Sequence, residues 1–145
     1  MRPLLLLLPV LLSACASNQT VGRRHINLPS RNINAPFSDA VMVGNTVYLA
    51  GRLGLDPQTG KPPADPAVEA RLLIEGFRDV LEQAGMTLND MVSVQVFCSD
   101  VSLFDTWNQV YRAFFAQPYP ARAFVGSGPL LMGARFEMQG IAVKR

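Results

Sequence analysis

The sequence predicts an α/β layer, a mixed six-stranded sheet with two helices packed on one face. Three observations carry this prediction. Two stretches, 70–84 and 104–114, repeat apolar residues at helical spacing. Several short runs rich in β-branched and aromatic residues lie between turn residues. The order is hairpin, helix, strand, helix, strands, which lets both helices cover one side of one sheet. A length of 145 residues suits one domain and hardly two. Hydrophobic residues at 49% against 17% charged describe a chain that can pack a core.

Part of that apolar content lies ahead of the core. Met1-Arg2-Pro3 precedes an apolar run from Leu4 to Leu12. The run falls well short of the roughly 20 residues a spanning helix needs, so it reads as the apolar region of a signal peptide. Leu12-Ser13-Ala14-Cys15 resembles the lipobox of bacterial lipoproteins, cut before the cysteine and lipidated on its sulfur. Residues 1–14 are then the signal peptide and 15–25 the lipidated Cys15 with its tether. The domain is 26–145. An ordinary secretory signal with an incidental cysteine is the alternative. Ala16, not Asp, favours outer-membrane sorting, so the chain is expected to be exported and anchored facing the periplasm.

Loss of the leader removes Arg2, leaving 12 basic and 11 acidic residues of the 13 and 11 present. That near-neutral balance, with no Lys/Arg stripe, argues against nucleic-acid binding. No His/Cys/carboxylate cluster has metal-ligand spacing, so no metal or other cofactor is expected. Cys98 continues the alternation of Val92, Val94 and Val96 and reads as a buried, inert thiol. His25, the single histidine, reads as a solvated loop side chain.

The elements follow in order. Ala40 to Val43 and Thr46 to Ala50 flank Gly44-Asn45, a hairpin signal. Leu53 to Leu55 either extends the second strand or begins another. Asp56-Pro57-Gln58-Thr59-Gly60 is turn chemistry. Asp65 caps a first helix, with Pro66 at its first position and Gly85 past its end. Asp90 to Cys98 reads as a central strand. Ser102 to Asp105 opens a second helix with capping-box spacing, and Pro118 stops it. Its stripe of Phe104, Trp107, Val110, Tyr111 and Phe114 reads as packing. Ala123 to Val125 and Arg135 to Val143 are the last strands. In the final one, Phe136, Met138, Gly140 and Ala142 face the helices, and Arg135, Glu137, Gln139 and Ile141 face away.

Arg122 stands in Tyr119-Pro120-Ala121-Arg122, with Glu137 on the next strand in chain order. A guanidinium fork matches a carboxylate two bonds at a time. A nearby Glu can deprotonate a water.

Several pieces stand in one order along the chain: Ala35-Pro36-Phe37-Ser38, Val43-Gly44-Asn45 with Ala50-Gly51, and Asp56-Pro57-Gln58-Thr59-Gly60. Asn108, Tyr111, Phe114 and Phe115 follow, then Pro120-Ala121-Arg122, Phe136-Glu137-Met138 and Ile141-Ala142-Val143. Together these pieces resemble the RidA (YjgF) family of enamine/imine deaminases. The resemblance implies a chorismate-mutase-like homotrimer with clefts between subunits. It implies that Arg122 grips the carboxylate of a 2-imino acid and that Glu137 activates water. It further implies that groups near Phe124 and Gly51 touch substrate, that Asn108 supports the site, and that Phe37 and Ala50 line it. Many members carry Tyr and Ser where this chain has Phe37 and Ala50, and a small residue or Cys at Phe124. The expected activity is 2-iminobutanoate/2-iminopropanoate-type deamination. The alternatives are a trimeric module that binds a small carboxylate without turnover, and an endoribonuclease-like activity.

Overall fold

The computed structural model describes residues 22–30, 32 and 34–145. The expected signal peptide, Cys15 and most of the expected tether lie outside the described residues. Six strands form one sheet: β1 Arg23–Ile26, β2 Ala40–Val43, β3 Thr46–Leu53, β4 Met91–Cys98, β5 Ala121–Gly126 and β6 Phe136–Val143. Helix α1 spans Pro66–Gln83 and α2 spans Phe104–Phe114. The mixed six-stranded sheet with two helices is therefore as expected, but one strand differs. Leu53 closes β3, and the sixth strand is Arg23–Ile26, which includes Arg23, Arg24 and His25 from the expected tether. These residues have no apolar alternation, and pairing with β2 makes them a strand. His25 remains exposed, its Nδ1 3.0 Å from Ser38 Oγ.

The strand order is β1-β2-β3-β6-β4-β5. Neighbours are antiparallel except β4 and β5. Since β3 and β4 both run against β6, they are parallel to each other. The chain thus makes two crossovers, β3-α1-β4 and β4-α2-β5, moving the same way across the sheet. Crossovers of one hand and one direction deposit both helices on one face. β6 then returns to fill the gap between β3 and β4.

Local chemistry fixes the helix ends. The Asp65 carboxylate accepts the Ala67 N–H at 2.8 Å, with Pro66 at the first position. At the far end Gly85 takes φ 69°, and the N–H groups of Gly85 and Met86 donate to Glu82 and Leu81, each at 2.9 Å. The second helix starts differently from expectation. Asp100, not Ser102, is the capping group. It accepts the Ser102 N–H at 3.0 Å at the head of a 3₁₀ turn that runs into α2. Asp100 is two residues nearer the end of β4, where the turn leaves the strand.

The core lies between the helices and the sheet. Leu73, Ile74, Phe77 and Leu81 of α1 meet Val47, Val94, Val96, Phe136 and Met138, all essentially without exposure. Cys98 is fully buried there, and burial pushes its thiol up, which keeps it neutral. Glu69 is also fully buried, at the first turn of α1. Its carboxylate accepts from the backbone N–H of Arg135 at 2.7 Å and of Phe136 at 3.0 Å, and from Arg135 Nε at 2.6 Å. Arg135, expected on the open face, instead reaches Glu69 and the carbonyls of Ala64 and Pro63. A buried carboxylate needs a cation, and Arg135 is the one at hand.

Candidate functional site

Arg122 lies on β5, an edge strand that pairs only with β4. It stands opposite Val94, on the face that the helices cover. Its guanidinium donates to Asn108 Oδ1 at 2.7 Å and sits 4.6 Å from the Tyr111 ring centroid. Asn108 and Tyr111 are neighbours on one face of α2 and both are buried. One bond and one ring thus aim a planar cation whose other donors have no partner among the described residues. Burial pushes the Tyr111 hydroxyl up to about 12, against the lowering effect of Arg122. The phenol stays neutral under the guanidinium. A concave pocket of about 340 Å³ opens here.

Phe124, two residues along, shares that face. Its side chain meets the Phe104 ring edge-on at 5.1 Å and lies 6.4 Å from Trp107. The bulk expected in the cleft is therefore turned into an aromatic cluster under α2. Strand alternation forces this, because residues 122 and 124 must point the same way.

Glu137 belongs to a second group. It alternates with the buried Phe136 and Met138, so it points to the open face of the sheet. Between Leu49↔Gly140 and Arg52↔Met138, two β3 residues, Ala50 and Gly51, oppose the single Gln139. This bulge changes the alternation of β3. Arg52 is turned towards the helices, where its side chain runs over Gly76 and its guanidinium lies 3.8 Å from Asp39. Gly51 is left against Glu137, and a Cβ at Gly51 would overlap the Glu137 carboxylate. The Ala50 N–H donates to the Asp39 carbonyl at 3.0 Å, which ties the bulge to the segment carrying exposed Phe37.

The residues singled out from sequence thus form two groups. Arg122, Asn108 and the Phe124 backbone lie on one edge. Ala50, Gly51 and Glu137 lie at the bulge, and Phe37 lies on the segment joined to it through Asp39. Arg122 and Glu137, on strands that are successive in the chain, do not meet within it. β4 intervenes between β5 and β6, and the two side chains leave opposite faces of the sheet. Sequence reasoning missed Tyr111 as the platform for Arg122 and Glu69 as the clamp beside Glu137. Glu69 left a signal, since it shares a helical face with Leu73 and Phe77, four and eight residues on.

The family model described as Endoribonuclease L-PSP matches residues 30–144. The chain belongs to this family. Among its relatives, 2-iminobutanoate/2-iminopropanoate deaminase of Bos taurus is 36% identical over 110 residues, covering 75% of this chain and 80% of the relative. RidA from the Antarctic bacterium Psychrobacter sp. superposes with a TM-score of 0.78 at 35% identity, over 83% of this chain and 99% of the other. Escherichia coli TdcF with bound serine gives 0.77 at 31% identity, over 84% and 100%. The RidA/L-PSP fold so matched is the six-stranded sheet with two helices described above, and imine deamination is the activity named in several of its members.

Proposed function

We propose that this chain hydrolyses 2-imino acids, or the enamines in equilibrium with them, to 2-oxo acids and ammonia. The observation that carries the proposal is Arg122, held by Asn108 over Tyr111 with unused donors facing a pocket. The relatives named as deaminases, and the serine bound to TdcF, support a small amino-acid-derived ligand.

Arg122 takes the carboxylate, a charge-assisted contact of about 1.5–3 kcal/mol. Glu137 accepts a proton from water as the water oxygen bonds to the imine carbon. The imine reacts in its protonated form, so its π electrons return to nitrogen as an amine; Glu137 passes the water proton to that nitrogen, and ammonia leaves as the hydroxyl gives its own proton to the Glu137 carboxylate and becomes C=O. General acid–base help of about 10²–10⁴ is enough for a bond that water already cleaves. Because Arg122 and Glu137 leave opposite faces, each site takes its arginine from one copy and its glutamate from the next, in a homotrimer. Phe37 and Ala50 offer no hydroxyl of their own, so the cleft they line is more apolar. Export and anchoring through lipid on Cys15 complete the proposal.

Imines generated by an amino-acid oxidase, with semicarbazide competing for them, test the chemistry. The protein should lower semicarbazone formation; unchanged formation across several imines leaves only a carboxylate-binding module. RNA cleavage is supported by the family description alone. His25, the single histidine, is on β1, at the opposite edge of the sheet from Arg122. Anchoring is checked by the mass of the mature N-terminus and by fractionation of Cys15→Ser, which should leave the membrane.

A further inference from the structure

The pocket beside Arg122 carries a second cation. It is lined by Asn108, Tyr111, Arg112, Tyr119, Pro120 and Arg122, two guanidinium groups and no acid. Arg112 follows Asn108 by one helical turn, so both overlook the same mouth. Asn108 already engages Arg122. Arg112 is exposed and has no hydrogen bond or ion pair among the described residues. Two like charges share one small concavity without a counter-ion, which raises the local potential for a doubly charged anion. Between them the walls are the Tyr111 and Tyr119 rings, 6.3 Å apart, and Pro120. Such walls suit a short carbon chain with an acid at each end.

We propose that Arg112 binds a second acidic group, so that the preferred ligand is a 2-imino or 2-oxo acid whose side chain ends in a carboxylate. This rests on Arg122 as the receptor for the first carboxylate. Arg112 then sets specificity and leaves the bond-breaking step to the groups already described. The volume of about 340 Å³ lies at the small end of ligand pockets and admits a dicarboxylate of four or five carbons. The competing role for Arg112 is purely structural, a cation in the last turn of α2 that favours the helix dipole. That role affects stability and leaves ligand choice alone.

Calorimetric titration of the full-length protein with 2-oxobutanoate and 2-oxoglutarate separates the two roles. The second probe should bind on the order of tenfold more tightly, the scale of one charge-assisted contact. Arg112→Gln should lower 2-oxoglutarate affinity by about that factor more than it lowers 2-oxobutanoate affinity. Arg112→Lys, which keeps the charge, should restore most of the preference. Equal affinity of the two probes in the native protein, or a preference that survives Arg112→Gln, overturns the proposal. Semicarbazide competition is run beside it on imines of alanine and glutamate. Absent hydrolysis with an Arg112-dependent preference for 2-oxoglutarate removes the deaminase function and keeps the second acid site. Hydrolysis without such a preference does the reverse.

Discussion

Arg122 is defined by what holds it. Asn108 takes one donor and Tyr111 supports the plane of the cation, so the fork points outward before any ligand arrives. Lysine keeps the charge but has neither the plane nor the paired donors. Arg122→Lys should therefore lower kcat/KM at least about tenfold, a loss of ~1.4 kcal/mol, while the melting temperature stays close to native. Gly51 acts in the opposite way, through what it lacks. Gly51→Ala would push the Glu137 carboxylate aside, so imine hydrolysis should fall while the fold persists, because only the end of a side chain has to move. Tyr111 offers a test by pH. Its hydroxyl is pushed up from 10.0 to about 12 by burial. Between those values the unfolded chain has lost the proton and the folded one retains it. Stability is thus fully present below pH 10 and declines as pH rises towards 12. Tyr111→Phe should flatten that decline in thermal melts. At neutral pH it should cost less than about 1 kcal/mol, since the hydroxyl has no hydrogen-bond partner among the described residues.

Elements differ in how far they could be read from sequence, according to the range of the forces that shape them. The Gly44-Asn45 hairpin, the Asp65-Pro66 helix start and the Gly85 stop depend on residues within a few positions, and all three stand as written. The faces of β6 followed from simple alternation. The bulge at Ala50-Gly51 did not, because an extra residue in β3 acquires meaning only against Gln139, nearly ninety residues away. The same holds for β1, whose polar residues form a strand only when β2 supplies the ladder. It holds for Arg122 and Glu137, whose separation depends on β4 lying between two strands that are consecutive in the chain. Glu69 joins two such distant elements, the first turn of α1 and the start of β6, immediately before Glu137. Glu69→Ala leaves Arg135 Nε and two backbone N–H groups without their acceptor, and should cost about 3 kcal/mol in denaturant melts.

For the whole molecule, the two half-sites make a prediction that no single-chain site could satisfy. A chain with Arg122→Ala and a chain with Glu137→Gln should each be inactive alone. Refolded together in equal amounts, they should recover about a quarter of native activity, since random assembly pairs an intact arginine with an intact glutamate that often. Recovery no greater than the sum of the two separate activities would mean that each site is built within one subunit. The formal net charge of +2 is consistent with subunits that associate without strong repulsion. The position of β6 has a consequence in time. The last strand of the chain is a central strand of the sheet, with β3 on one side and β4 on the other. Until Phe136–Val143 has been synthesised, the earlier strands form two pieces, β1-β2-β3 and β4-β5, with no seam between them. A nascent chain of this design stays open until β6 emerges, and any stop ahead of β6 leaves the sheet unfinished.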